Sequence, residues 1–279
     1  MLCTMKELLE DAEKQNRAVG AFSVYSMEML KGIVQAAEEM TTPVILQIAE
    51  SRFLYAPFEL MAPAMRKAAE LSNVKMAVHL DHGLKIETIQ KALDYGFTSV
   101  MLDASSHPLK ENIQMTKKVL AMARGYGASV ETEIGCVGGN EGMGNVKDNY
   151  THPEDVTILL NEAPVDALAI AIGNAHGNYK KAPDLQFGLL EQIHKEHPVP
   201  LVLHGGSGIS FNDFRKTINC GIRKINIATA NLNAMKEAIE ECIKEDNTCS
   251  YFKISDEMVR KVCECTKTHI YIFNNQGAL

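Results

Sequence analysis

Three histidines stand beside glycine in three separate segments, each at the end of an apolar run. They are His82 in HLDHG, His176 in GNAHG and His204 in HGGSG. A single histidine of this kind is more often a structural hydrogen-bonding residue. Three neutral imidazoles, however, are good zinc ligands and leave a coordination position open for a substrate. The set predicts a metal site, provided that the fold brings the three segments together. The other six histidines fall at positions that point less clearly to a ligand role: His79, His107, His152, His194, His197 and His269.

Carboxylates accompany the same segments. Asp81 precedes one candidate ligand, Asp103 follows the next apolar run, and Glu131 and Glu133 alternate within another. An acid at a strand end often only caps the following helix, an interpretation that suits Asp103 better than Asp81. Because residues two apart on a strand share a face, Glu131 and Glu133 point the same way. Glu133 then either ligates a metal directly or accepts a hydrogen bond from the non-ligating nitrogen of a ligand histidine.

Two glycine- or amide-rich segments predict a phosphate site. Gly205-Gly206-Ser207-Gly208 offers backbone amides and one hydroxyl shortly before a helix, and Asn226-Ile227-Ala228-Thr229 also leads into a helix. Backbone N–H groups at helix N-termini bind anions. A GGSG segment alone is weak support because glycine turns are common, but its pairing with the second segment favours phosphate binding.

Residues 135–151 read GCVGGNEGMGNVKDNYT and have no apolar period. Glycine gives the backbone many allowed conformations, which suits an active-site flap that carries Glu141. The alternative is an ordinary surface loop in which Glu141 is merely solvated.

These segments fit a repeating pattern of short β-branched runs and longer amphipathic stretches. The predicted strands are 18–24, 43–49, 75–80, 98–102, 128–134, 166–172, 199–203 and 222–228. The predicted helices are 28–40, 57–72, 84–95, 108–124, 153–162, 183–196 and 210–219. Eight such units predict a (β/α)8 TIM barrel with additional terminal helices, whose βα loops converge on one mouth. An open, doubly wound sheet is the alternative.

Composition is consistent with one domain over residues 1–279 of a cytoplasmic protein. The chain is 46% hydrophobic with a net charge of −7, which argues against nucleic-acid or membrane surfaces as partners. No apolar run approaches the roughly 20 residues that span a bilayer. The first 18 residues read as a charged amphipathic helix rather than a signal peptide. The seven cysteines have irregular spacing without a C-x-x-C pair, which is typical of reduced thiols.

The ordered motifs resemble the class II fructose-bisphosphate and tagatose-bisphosphate aldolases from about Met5 to Asn231. The motifs are AVGAFSV, VHLDHG, SVMLDAS, VETEIGCVGGNE, DALAIAIGNAHGNYK, VPLVLHGGSGI and KINIAT. The resemblance implies a TIM barrel that cleaves a phosphorylated ketose with Zn²⁺. In some relatives a monovalent cation, Na⁺ or K⁺, also binds near these loops, and the family is often a homodimer or homotetramer.

Each candidate residue acquires a role from this resemblance. His82, His176 and His204 match the zinc ligands, and Glu133 matches a carboxylate near an alternative metal position. Asp81 matches the acid–base residue at the C4 oxygen. Glu141 matches the loop glutamate that moves the proton at C3 of dihydroxyacetone phosphate. The positions around the triose phosphate are matched by Gly177, Lys180, Gly205, Gly206, Ser207, Asn226, Ala228 and Thr229.

The sequence departs from the family pattern in AFSVYSME, in QIAES and in CSYFKIS, where no Asp-Pro-Arg segment is present. These changes concern the distal half of the substrate, so fructose, tagatose and a deoxy-keto-gluconate phosphate remain alternatives. Other classes also stay open. A Schiff-base aldolase needs a presented lysine, but Lys224 and Lys75 lie towards strand beginnings. A non-catalytic sugar-phosphate sensor would be favoured by the loss of a ligand histidine, Asp81 or Glu141, but all of these residues are present. A zinc hydrolase is compatible with the three histidines, but its reaction does not require the two phosphate-binding segments.

Overall fold

Short runs of aliphatic and β-branched residues form eight parallel strands that close into a barrel. The computed structural model describes residues 1–139, 150–177 and 183–275. The barrel strands are β1 (Val19–Ser23), β2 (Val44–Ala49), β3 (Met76–Gly83), β4 (Ser99–Leu102), β5 (Ser129–Ile134), β7 (Ala167–Ile170), β9 (Leu201–Leu203) and β10 (Ile222–Ile227). Around the barrel they stand in the order β1-β10-β9-β7-β5-β4-β3-β2. The (β/α)8 prediction is confirmed, and the open sheet is wrong.

A helix follows each barrel strand, and further helices lie at both termini. The helices are α1 (Met5–Lys14), α2 (Met27–Glu39), α3 (Phe58–Leu71), α4 (Ile86–Asp94), α5 (Leu109–Tyr126), α6 (Pro153–Glu162), α7 (Phe187–Glu196), α8 (Phe211–Asn219), α9 (Thr229–Glu245) and α10 (Tyr251–Phe273). Serine and threonine side chains cap several of them, as Ser26 does by accepting from the Met29 amide at the start of α2. Among the described residues, no helix combines the length and apolar content that crossing a bilayer requires.

Helix α1 closes the amino-terminal end of the barrel. Its buried face, which includes Met5, Leu8 and Leu9, packs in one cluster with inward-facing strand residues. Several of those strand residues are alanines, such as Ala77 and Ala169, whose small side chains leave room for the helix. Each fully buried Leu or Met side chain contributes about 1.5–3 kcal/mol to the free energy of unfolding. The barrel therefore has an apolar floor, and its polar interior residues lie nearer the opposite end.

The structure differs from the predicted elements in two places near the candidate residues. Strand β3 was predicted to end at residue 80 but continues to Gly83, so Asp81 and His82 belong to the strand itself. A small parallel pair, β6 (Gly138–Gly139) with β8 (Ala175–His176), was not predicted because two-residue strands carry no periodic signal. Most of the predicted flap, including Glu141, lies outside the described residues, as does Lys180.

Candidate active site

The three predicted ligand histidines meet at the carboxyl end of the barrel. His82 Nε2 lies 2.8 Å from His204 Nδ1 and 3.2 Å from His176 Nε2. His82 and His204 are buried, whereas His176 is half-buried at the end of β8. The strands bring together residues that are 94 and 122 positions apart in the chain.

An irregularity in β3 directs His82 into this cluster. In a regular strand, neighbouring side chains point to opposite faces, so Asp81 and His82 would diverge. The pairing of β3 with β4 shifts register between Leu80 and Gly83, and His82 has a positive φ of 44°. A positive φ is costly for a residue with a side chain and tends to occur at functional sites. Here the strained backbone allows consecutive residues to serve the same site.

A carboxylate behind each of two histidines selects the nitrogen that faces the cluster. His82 Nδ1 donates to Asp103 Oδ2 over 2.7 Å, and His204 Nε2 donates to Glu131 Oε1 over 2.9 Å. In each ring the opposite nitrogen then presents its lone pair to the other histidines. Asp103 is further held by the amide and hydroxyl of Ser105. The helix-cap interpretation of Asp103 is wrong, because α5 begins six residues later with Pro108 at its N-cap.

Carboxylate charge dominates the electrostatics of the cluster. Burial lowers the pKa of His82, but three neighbouring carboxylates raise it to about 10. They are Asp81, Asp103 and Glu133. Burial, with the charge of Asp103, raises the pKa of Glu133 to about 8, and burial holds the pKa of His204 well below its usual value. A divalent cation would balance this concentration of acidic groups.

The donor set fits a bound divalent metal. The ligand atoms of His82, His176 and His204 all lie within 4.8 Å of one another, and a second such group joins His82 with Asp103 and Glu133. Three imidazole nitrogens with an open position form a common catalytic zinc arrangement. Glu133 Oε2 lies 3.7 Å from His204 Nδ1, close enough to serve the second group. The residues present can therefore hold the ion that the sequence predicts.

Two buried amides fix Asp81 beside the histidines. Asn226 Nδ2 donates to Asp81 Oδ1 over 3.0 Å, and Gln47 Nε2 donates to Asp81 Oδ2 over 3.1 Å. Gln47 also contacts Ser23 Oγ at 3.3 Å. The four residues come from β10, β3, β2 and β1, so the carboxylate has a defined position at the mouth. The sequence resemblance matches Asn226 to the triose-phosphate region, but in the structure its side-chain amide donates to Asp81.

The two predicted phosphate segments lie side by side at the start of α9. Ser207 Oγ accepts from the Ala230 amide over 3.0 Å, in the first turn of that helix. Ala228 is the N-cap and Thr229 the first helical residue. The Gly206 amide donates to Asn226 O over 3.1 Å, so this amide serves the loop rather than facing the mouth. Gly177 follows β8 directly, at the edge of the described residues.

Glycine is required at position 205 because the backbone of Ala175 lies too close to leave room for a side chain. It has a φ of 67°, and a Cβ there would lie 2.1 Å from the carbonyl oxygen of Ala175, next to His176. We expect Gly205→Ala to reduce the free energy of unfolding by about 2–4 kcal/mol and to displace β8. Urea unfolding of both proteins measures the change. Gly188→Ala in α7 is the matched control, because its new methyl group meets nothing within 4 Å. Equal loss of stability in both variants would contradict this explanation.

Lys224 is a polar interior residue whose contact sequence reasoning missed. It stands early in β10, but its ammonium reaches into the barrel interior, 2.8 Å from Glu131 Oε2. Both side chains are fully buried. Periodicity could have signalled this location, because Lys224 is two residues before Asn226 and shares its inward face.

The comparisons with known proteins agree with this architecture. A family profile described as "Fructose-bisphosphate aldolase class-II" matches residues 3–278. A probable fructose-bisphosphate aldolase of Bacillus subtilis (strain 168) is 41% identical over 249 residues, covering 87% of this chain and 86% of the relative. The fructose-bisphosphate aldolase of Geobacillus stearothermophilus is 40% identical over 252 residues, covering 88% and 87%. The crystal structure of the YdjI aldolase from Escherichia coli K12 has 33% identity and a TM-score of 0.89, with 99% of each chain covered.

Fold, site and relatives together define a TIM-barrel lyase of the aldolase class. More specifically, the chain belongs to the class II fructose-bisphosphate aldolase family. Metal dependence is general in this family, and the described residues include groups able to hold the ion. All seven cysteines are free thiols, which agrees with the irregular spacing noted in the sequence.

Proposed function

We propose that the protein catalyses the reversible, zinc-dependent cleavage of a ketose 1,6-bisphosphate, fructose or tagatose, to dihydroxyacetone phosphate and glyceraldehyde 3-phosphate. The observation that carries this proposal is the meeting of three imidazoles beside a carboxylate held by two amides. The glycine-rich segment and the first turn of α9 supply a place for the phosphate of the triose.

Asp81 and Glu141 perform the two proton transfers in this proposal. His82, His176 and His204 would hold a divalent ion, which would supply Lewis-acid polarisation of the C2 ketone. In cleavage, Asp81 removes the proton from the C4 hydroxyl, the C3–C4 bond breaks, and its electron pair moves towards the C2 carbonyl. Glu141 then returns a proton to C3. In synthesis the same groups act in reverse, and Asp81 protonates the aldehyde oxygen.

The remaining residues position the substrate or the ion. Glu133 binds the metal in an alternative position or stabilises its ligands, as its contact with His204 Nδ1 supports. The residues assigned to the triose phosphate are Gly177, Lys180, Gly205, Gly206, Ser207, Asn226, Ala228 and Thr229. Of the residues in this mechanism, Glu141 and Lys180 lie outside the described ranges, so their roles rest on the sequence resemblance.

We further propose Zn²⁺ as the physiological ion, with a monovalent cation, Na⁺ or K⁺, near the phosphate-binding loops. The chain acts as one domain over residues 1–279 in the cytoplasm and assembles as a homodimer or homotetramer. Exposed apolar side chains next to α10 support self-association. Tyr251 and Phe252, in the first turn of α10, are exposed with their rings 6.0 Å apart, and Met27 at the start of α2 is also exposed.

Cleavage of fructose and tagatose 1,6-bisphosphates tests the function. We expect dihydroxyacetone phosphate to form from at least one of them, measured with a coupled reductase. Chelation should abolish cleavage and added Zn²⁺ should restore it, while Mg²⁺ serves as the control ion. The ratio of kcat/KM values for the two sugars then identifies the preferred configuration at C4.

Failure with both bisphosphates would separate the competing functions. If verified zinc-loaded protein cleaves neither sugar but cleaves another phosphorylated ketose, such as a deoxy-keto-gluconate phosphate, the reaction type stands and the substrate is wrong. Binding of sugar phosphates without turnover of any of them would favour a sensor. Cleavage that persists after complete removal of metal would contradict the proposed mechanism.

A further inference from the structure

A buried ion pair lies beneath the histidine cluster and is not used by the proposed reaction. Lys224 of β10 and Glu131 of β5 are both fully buried, with Nζ and Oε2 2.8 Å apart. Burying two charges is costly, and replacing such a pair with apolar residues is often neutral or stabilising. A stability role therefore explains this pair poorly, which directs attention to what the pair contacts.

Glu131 divides its two oxygens between the lysine and a candidate metal ligand. Oε1 accepts from His204 Nε2 over 2.9 Å, while Oε2 faces Lys224 and lies 3.6 Å from His79 Nε2. One carboxylate thus joins the ammonium to the imidazole. Because its other oxygen forms an ion pair with Lys224, the position of Oε1 is restrained.

His82 offers an internal comparison. Its carboxylate partner, Asp103, is held by the neutral amide and hydroxyl of Ser105, close to the surface of the barrel mouth. The carboxylate partner of His204 is instead held by a full positive charge in the barrel interior. The Lys224 ammonium lies 2.8 Å from one oxygen of Glu131, and the other oxygen accepts from the imidazole, so the ion pair restrains the carboxylate that holds the ring.

We infer that Lys224 is a positioning residue that acts through Glu131 to hold His204 with Nδ1 towards the metal. The inference rests on the proposed function, since it takes His204 as a ligand. Lys224 makes no contact with the substrate in this role. It fixes the carboxylate, the carboxylate fixes the tautomer and orientation of the ring, and the ring presents its lone pair.

The decisive variant replaces both members of the pair, Lys224→Met with Glu131→Gln. The two substitutions remove one positive and one negative charge, so the net charge near the metal is unchanged. Volume is also nearly conserved, and the glutamine oxygen still can accept from His204. Any change in metal affinity then reports the loss of the anchored carboxylate. Lys224→Met alone leaves Glu131 unpaired and is the second variant.

The measurement is Zn²⁺ affinity of the full-length apoprotein, by competition with a chromophoric chelator, together with the visible spectrum of the Co²⁺ form. We expect the double variant to bind Zn²⁺ about 10–100-fold more weakly and to show an altered Co²⁺ spectrum. Ser99→Ala is the matched control. Ser99 is buried in the same interior region and contacts His79 at 2.7 Å, but the hydrogen bond between Glu131 and His204 does not involve it. Its affinity should stay within about twofold of wild type.

The outcomes separate this inference from the assignment of the ligands. If wild-type protein does not bind Zn²⁺, or binds it equally well after His204→Ala, the metal assignment fails first. If wild type binds and His204→Ala does not, yet the folded double variant keeps wild-type affinity and spectrum, the role of Lys224 is overturned. A double variant that cannot fold, judged by circular dichroism, would assign the pair to folding and also overturn it.

Discussion

His204→Ala should lose both tightly bound Zn²⁺ and carbon–carbon cleavage. His204 Nδ1 lies 2.8 Å from His82 Nε2, so the variant removes one of three converging nitrogens. A Lewis acid contributes several kcal/mol to stabilisation of the transition state, which corresponds to a loss of roughly 10³-fold or more in rate. Metal content by atomic absorption and kcat with the preferred bisphosphate measure the two effects.

A histidine outside the mouth provides the control. His197, the C-cap of α7, precedes the amino end of β9, whereas the cluster lies at the carboxyl end of the barrel, and its ring contacts Thr157 Oγ1 at 3.3 Å. His197→Ala should keep the metal content and the cleavage rate of wild type, even if its stability falls. Full zinc retention with normal turnover in His204→Ala would remove His204 from the metal site. Loss of folding in both variants would point to general destabilisation instead.

The barrel was predictable because its periodic signal is strong. Most strands are short, largely apolar runs buried on both faces, as in Val44–Ala49, and each is followed by a helix. Every predicted strand overlaps an observed one. The extension of β3 through Gly83 was not predictable, because Asp81, His82 and Gly83 interrupt the apolar pattern. Their pairing with β4 depends on a register shift that no local propensity encodes.

The candidate ligands were predictable for a topological reason. His82, His176 and His204 follow three different apolar runs, and all strand ends of a barrel face one mouth. The partners that orient them were harder to identify. Asp103 has the sequence context of a helix cap, and its contact with His82 depends on the unusual backbone of that histidine. Residue type and spacing do not predict the positive φ of His82.

Lys224 shows a second limit of sequence reasoning. Its position near the beginning of β10 is as expected from the sequence, yet a long flexible side chain carries its charge well away from its Cα. The pairing with Glu131 requires knowledge of which strands face each other across the interior. The same holds for Gln47, whose contact with Asp81 follows from the β2–β3 register, in which Gln47 pairs with His79.

Asp81→Ala should retain the metal but lose most cleavage. The carboxylate is fixed by Gln47 and Asn226 at a position beside the histidines, without being one of the three converging nitrogens. Removing a positioned acid–base group typically lowers the rate by about 10²–10⁴-fold, and we expect a decrease of this size in kcat. Zinc content should equal that of wild type, and Asp94→Ala on the exposed surface of α4 is the control with normal activity.

A half-reaction distinguishes loss of the C4 proton transfer from a general collapse of the site. Exchange of the C3 proton of dihydroxyacetone phosphate with solvent needs the metal site and Glu141, but no group at a C4 oxygen. Asp81→Ala should therefore catalyse this exchange, measured by deuterium incorporation, while cleavage is lost. His204→Ala should lose both reactions, since polarisation of the ketone is common to them. An Asp81→Ala protein that cleaves at the normal rate would exclude the residue from the mechanism. One that loses exchange and cleavage equally would show that Asp81 maintains the site rather than transferring the C4 proton.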